Sequence, residues 1–302
     1  MAQDKWLIQP GESKTIDVEL VRSLKAGFIA GQVDIIGHDE QGARVEVHSV
    51  TGRDLKITLD GDRLEIDHPQ LRWDNFIEVF KSMRDNARAE VSVLVPRDVA
   101  LKLGVVSATA LVAGLDTDAK LSTVTGDLVV DGVTGDIELN SVSGEVSARN
   151  HSGRIFAHTV SGDVTASGRI PKFTVDSVSG NVMVDVVGTP DEISSNTVSG
   201  DLTIRVPEAL GARYRVNTIS GKVQLDNTFI HGMPGKTYQG TSGSLDGTWM
   251  DLNANSVSGN VYVLRSAPAG TSTGAGTGAG TGTGADAPAD SAAGSDQNGA
   301  SA

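Results

Sequence analysis

Cysteine is absent from this 302-residue chain, which removes both a disulfide framework and any thiolate metal site. Aromatic residues are scarce at 4%, so large rings cannot dominate a core; the abundant Val, Thr, Ser and Gly suit strands and turns. No apolar run approaches the ~18 residues that a membrane-spanning helix requires. Met1 to Pro10 shows no basic run followed by a long apolar stretch, so no signal peptide is expected and the expected location is cytoplasmic. A basic excess is missing too. The net charge is −13, and without a basic face to neutralise phosphates nucleic acid is excluded as a partner. His38, His48, His68, His151, His158 and His231 show no His-x-His or His-Glu-x-x-His spacing. A phosphate loop, a Gly-x-Ser-x-Gly elbow and a dinucleotide fingerprint are likewise missing. No catalytic residue, metal site or cofactor is assigned, and the chain is read as non-enzymatic.

What the chain does contain is a repeat. The tetrad Ser/Thr-Val/Ile-Ser/Thr-Gly occurs at Thr123–Gly126, Ser141–Gly144, Thr159–Gly162, Ser177–Gly180, Thr197–Gly200, Thr218–Gly221 and Ser256–Gly259. Weaker copies, Val105-Val106-Ser107-Ala108 and Thr237-Tyr238-Gln239-Gly240, complete a series with steps of 18 to 21 residues. Self-similarity at that period is the signature of a solenoid. Counting from each Gly, the positions two before, two after and four after are apolar, as at Val142, Val146 and Ala148. Such alternation reads as a half-buried strand with these positions inward. A second series half a period later, Val133, Ile137, Leu139 and then His151, Ile155, Ala157, gives each coil at least two strands. By parity the Gly faces inward, or it sits at a bend whose φ only Gly accepts; both readings stand. His151 replaces a repeat Val, either as a paired core histidine or at a solvated bend.

The remaining repeat positions form ladders expected to face solvent. Hydroxyl residues stand three before and one before each Gly, as at Ser141 and Ser143, and are read as cross-strand pairs on a solvated sheet. One after Gly stand Asp127, Glu145, Asp163, Asn181, Asp201 and Lys222. A divalent cation would relieve repulsion in such a column, but Lys222 interrupts it and exposed carboxylates splay into water, so the column is read as solvated.

The fold class expected is all-β: a parallel β-solenoid, two or more strands per 18–21-residue coil, with a β-rich N-terminal cap and one short helix. Residues 1–100 form the cap, which covers strand edges at one end. Residues 101–265 form the solenoid. Residues 266–302, nearly all Gly, Ala, Thr, Ser and Asp, bury too little to order and form a disordered tail. Leu71 to Arg88 departs from the β pattern. Asp74 caps a helix over about 74–88, with Phe76, Ile77, Val79, Phe80 and Met83 largely on one face. Arg72, Lys81, Arg84 and Arg88 outweigh Asp74, Glu78 and Asp85. This cationic amphipathic segment suits an anionic membrane surface or a partner groove, or else packs on the solenoid. Its candidate contact residues are Trp73, Phe76, Phe80, Lys81, Arg84 and Arg88.

The repeated Ser/Thr-Val-Ser-Gly-Asp/Asn-Val units, the β-rich N-terminal region and Val91-Ser92-Val93-Leu94-Val95-Pro96 resemble the bacterial putative-adhesin, or toast-rack, β-strand-repeat family over most of residues 30–265. The resemblance implies a β-solenoid, no established catalytic residues, and a setting near membrane and envelope stress systems. The leading expectation is a non-enzymatic scaffold or interaction module with a protein partner and a peripheral contact with anionic membrane. Self-association, through exposed faces or ends, is the alternative. A carbohydrate-active β-helix enzyme comes third, because the proximity of ladder acids is automatic and marks no active site.

Overall fold

The computed structural model describes residues 3–68, 87–226, 228–230 and 236–266. The first part of the chain forms β1 (Gln3–Ile8), β2 (Lys14–Val18), β3 (Ser23–Phe28), β4 (Ala30–His38), β5 (Ala43–Thr51), β6 (Leu55–Asp60), β7 (Arg63–Asp67) and β8 (Arg88–Pro96). Then follow β9 (Ala100–Val105), β10 (Thr109–Ala113), β11 (Ala119–Thr123), β12 (Leu128–Asp131), β13 (Ile137–Ser141), β14 (Val146–Ser152), β15 (Ile155–Thr159) and β16 (Val164–Arg169). Next are β17 (Lys172–Ser179), β18 (Val182–Val186), β19 (Glu192–Ser199), β20 (Leu202–Pro207), β21 (Gly211–Thr218) and β22 (Val223–Leu225). The last are β23 (Thr228–Ile230), β24 (Lys236–Ser242), β25 (Trp249–Ser256) and β26 (Val261–Ser266). Among the described residues these make two 13-stranded sheets and no helix.

Each repeat coil places one strand in each sheet. In the first sheet β9, β11, β13, β15, β17 and β19 run parallel side by side, and in the second β10, β12, β14, β16, β18 and β20 do the same. Register follows the sequence period: Leu121 lies beside Leu139, and Leu139 beside Ala157. Alternate residues bury, so Ile137, Ile155, Phe173 and Ile193 form one closed column and Val146, Val164, Val182 and Leu202 another. Near-continuous aliphatic columns fill the interior, with few large rings among them: Phe28, Phe173 and Tyr214 are buried there.

Three features depart from the sequence reading. Parallel stacking begins well before residue 101, because β3 and β4 pair with β9 and β10, and β7 and β8 stack beyond them. Antiparallel β5 and β6, then β2 and β1, close that end. At the other end the coils do not follow sequence order. The last coil, β25 and β26, inserts between β19/β20 and β21/β22. Thr237-Tyr238-Gln239-Gly240 is therefore no coil of the stack; it lies in β24, antiparallel to β21 at the sheet edge. The helix expected at 74–88 falls outside the described residues except at its last two positions, where Arg88 already opens strand β8.

A polar cluster holds the inserted coil. Arg265 Nε donates to Asp226 Oδ1 at 2.6 Å and Nη2 donates to the Tyr214 hydroxyl at 2.8 Å. Ser242 Oγ donates to Asp226 Oδ2 at 2.6 Å. The four groups thus tie β26 to β21, β24 and the turn after β22. Burial opposes ionisation of Asp226, yet the bonds from Arg265 and Ser242 prevail and hold its pKa below the usual carboxylate value. Burial pushes Tyr214 up to about 12, so it serves as a neutral hydroxyl.

The glycine of the tetrad is required by space. A Cβ on Gly126, Gly144 or Gly162 would drive into the carbonyl oxygen of Ala108, Gly126 or Gly144 in the coil behind, and none of these three has a positive φ. Gly132, in contrast, has φ 61° and nothing near its Cβ position. Gly144→Ala is expected to lose about 3 kcal/mol in urea unfolding, as overpacked sites do, and Gly132→Ala about 1 kcal/mol from its left-handed backbone. Equal losses would remove the steric account.

His151 is a core histidine. It is 1% exposed, follows Asn150 at φ 51°, and lies at a register shift between β14 and β16. Burial pushes its pKa below the ordinary 6.5. With the folded pKa depressed, the unfolded chain binds the proton more readily, so this contribution is complete above 6.5 and is lost as pH falls further. His68 is lowered in the same way by burial and adds to the loss. His151→Val, restoring the repeat residue, should make the fall in melting temperature between about pH 7 and pH 5 shallower. A slope identical to that of the parent would contradict a neutral buried imidazole.

Candidate functional site

The tetrad builds a turn that inverts the facing of its own residues. Inward parity runs from Ile137 and Leu139 into Ser141, which is buried. Ser141 Oγ then donates to the Gly144 carbonyl at 2.8 Å, as Thr159 does to Gly162 at 3.1 Å and Ser256 to Gly259 at 3.2 Å. A buried hydroxyl so satisfied stabilises the bend instead of penalising it. The hydroxyl three before Gly, expected on the solvated face, is an interior residue in all seven tetrads, although Ser177 Oγ and Thr197 Oγ1 have no hydrogen-bond partner. In six of the seven tetrads the next residue points out, so Val142, expected in the core, is 42% exposed, whereas Val124 of the first tetrad stays buried as expected at 1%. The hydroxyl one before Gly faces solvent and donates across the stack: Ser143 to Val124 O at 3.2 Å, Ser161 to Val142 O at 3.1 Å.

The acidic column has a structural use. Asp163 Oδ1 accepts the Asn181 N–H at 2.7 Å, Asp127 accepts that of Glu145 at 3.2 Å, and Asp201 accepts that of Asn260 at 3.0 Å. Lys222 ends this column, after Asn260; no further parallel coil follows that would need an acceptor. Among the described residues no group of three or more His, Asp or Glu could hold a metal ion.

The inverted valines align into one row. In spatial order Val142, Val160, Val178, Val198, Val257 and Ile219 lie at the C-terminal ends of successive strands of the first sheet or just past them, each 42 to 58% exposed. Two residues upstream runs a polar row, Asn140, His158, Asp176, Asn196, Asn255 and Asn217. Both rows line a groove of about 1250 Å³ with the buried Ser/Thr column between them. Five strand spacings of ~4.8 Å give the rows a length of about 24 Å.

The polar row largely satisfies itself. Asn196 Nδ2 donates to Asp176 Oδ1 at 2.8 Å, Asn255 to Asn196 at 2.8 Å and Asn217 to Asn255 at 2.6 Å. His158 Nδ1 lies 3.2 Å from Asp176 Oδ2, and Asn140 donates to Glu138 at 3.0 Å. Lys102 and Lys120 stand side by side at one end of the groove, and Lys120 pairs with Glu138 at 2.6 Å. The lysine bond, foremost, holds the Glu138 pKa below its usual value.

The sequence matches Toastrack DUF4097 over residues 21–264. The chain belongs to the toastrack family. Solved structures similar to this toastrack chain include a "putative cell adhesion protein" from Clostridium sporogenes, 16% identical with TM-score 0.28, covering 88% of this chain and 99% of that one. A "putative lipid binding protein" from Parabacteroides distasonis is 10% identical with TM-score 0.44, covering 86% and 99%. A "putative adhesin" from Bacteroides fragilis is 12% identical with TM-score 0.33, covering 65% and 99%. No curated protein matches the sequence.

Of the contact residues named from sequence, Trp73, Phe76, Phe80, Lys81 and Arg84 lie outside the described residues. Arg88 lies in β8, exposed and 3.5 Å from Glu90. The groove of this toastrack protein escaped the sequence reading because parity was counted back from Gly144. Counted forward from Ile137 and Leu139, it places Ser141 in and Val142 out. The small residues of the bend are where the two parities collide.

Proposed function

We propose that this toastrack chain is a non-enzymatic interaction module that holds its partner along the aliphatic groove. The unbroken row from Val142 to Ile219, each member 42 to 58% exposed, is the observation that carries the reading. Apolar residues on a soluble surface are ordinarily scattered singly, and a contiguous rimmed stripe marks an interaction site. Covering it removes aliphatic surface from water at about 25 cal/mol per Å².

The proposed setting is the one that the family resemblance implies, the cytoplasmic face of a membrane in an envelope-stress context. A second docking element is proposed at residues 71–88, because twenty residues connect Asp67 to Arg88 at the edge where four connect Thr123 to Leu128. End-to-end self-assembly is disfavoured by charged residues on the closing strands, Asp4 and Lys5 on β1 and Lys14 and Asp17 on β2.

A photoreactive residue placed at Val178 is expected to label a partner in native cell extract, whereas one at Met183, 42% exposed on the opposite sheet, is not. Equal labelling at both positions, or none at Val178, would defeat the groove reading. For the second element, anionic liposomes should co-sediment the parent chain at low salt and lose it when Phe76 and Phe80 become Asp. Binding that survives those substitutions would dismiss a membrane role for 71–88.

A further inference from the structure

We propose that the outer edge of β24 pairs with the same edge of a second copy, joining two chains at this end into one continuous sheet. This goes beyond the groove reading and does not rest on it. An outer strand offers a row of unpaired N–H and C=O groups, and proteins guard such rows with charges, proline, bulges or very short strands. Among the described residues the first sheet has β1 and β24 as its outer strands, and the second has β2 and β23. β1 carries Asp4 and Lys5, and β2 carries Lys14 and Asp17. β23 is protected by its length of only three residues. β24 has none of these devices beyond Lys236 at its start. It keeps unbroken register with β21 from Lys236 through Ser242, so its outer edge is free of bulges and seven residues long.

The strand is complementary to itself about a two-fold axis through its midpoint, Gln239. In that antiparallel register Gln239 faces its own copy, Thr237 faces Thr241, Tyr238 faces Gly240 and Lys236 faces Ser242. No charge meets a like charge, and Thr–Thr pairs are favourable cross-strand neighbours. Tyr238 is half-buried against the core, and a Cβ on Gly240 would run into its hydroxyl. The ring therefore already lies along the glycine of its own strand, and the opposing glycine leaves it room. An aromatic ring beside an edge glycine also offsets the missing side chain. Arg215, opposite Gln239 on β21, stays three strand spacings from its copy, about 14 Å. That exceeds the ~10 Å screening length at 0.1 M salt, so the two guanidiniums repel little. Pairing stops at two copies, because the other end of the stack presents only the charged edges of β1 and β2.

The test is sedimentation velocity of the full chain over a range of concentrations. A reversible monomer–dimer equilibrium is expected, with no larger species. Gln239→Lys sets two ammonium groups opposite each other at the axis. It should raise the dimer dissociation constant about fivefold, with the largest effect at low salt. Because the chain has no cysteine, Gln239→Cys gives a second and independent readout. Directly opposed residues of antiparallel strands have Cα atoms ~4.5–5.5 Å apart, within the reach of a disulfide, so mild oxidation should link two chains. Met183→Cys, exposed on the opposite sheet, should leave them unlinked. A chain that stays monomeric at high concentration, a dimer indifferent to Gln239→Lys, or equal cross-linking at both cysteines overturns the inference. Growth beyond the dimer overturns it too.

Discussion

Backbone hydrogen bonding of each coil onto the next, at ~4.8 Å, is the constraint on which the rest of this structure depends. It makes each side chain the neighbour of its own equivalent 18 residues away, as Leu121 is of Leu139. Every repeat position must therefore tolerate its own repetition. Aliphatic positions do so by packing into columns. The glycine does so because it has no Cβ to drive into the carbonyl oxygen of the coil behind. Asp127, Asp163 and Asp201 do so because each offers an oxygen to the N–H of the following coil, as Asp163 does to Asn181. What resembled a metal ladder is a backbone-capping ladder.

A stack of this kind has two ends, and both are closed by reversing strand direction. At the N-terminal end β5 and β6 lie antiparallel to β8 and β7. At the other end β24 lies antiparallel to β21, and the last coil is buried one layer inside. The chain's final described strand is thereby flanked on both sides instead of forming an exposed parallel edge. Its fixed position owes much to Arg265, whose guanidinium reaches Asp226, Tyr214 and two backbone carbonyls. A non-local insertion of this type requires most of the stack to form before its last strands can dock, which belongs with the slow-folding topologies.

Repetition also generates the groove. One outward valine on a turn is an unremarkable exposed side chain, but six on consecutive coils make a continuous aliphatic stripe, with a self-bonded amide row beside it. The proposed binding surface emerges here without any residue that would be singled out alone. That explains why motif reading found nothing there: the informative unit is a register between strands, and no single coil contains it.

Composition and period alone determined the all-β class, at least two strands per coil, and apolar columns such as Ile137 with Ile155, because an 18-residue repeat with period-two alternation leaves a stacked coil little choice. They did not determine which side of the bend each tetrad residue takes. Ser141 and Val142 exchange their expected faces because the buried hydroxyl finds the Gly144 carbonyl, a bond that only the folded turn reveals. Nor did the repeat disclose the order of the last coils. Ser256–Gly259 matches the other tetrads as well as Thr218–Gly221 does, so either could stack next on β19 and β20. Tertiary structure decided between them, through the antiparallel β24 that closes the edge and the Arg265–Asp226 cluster that locks the inserted coil in place.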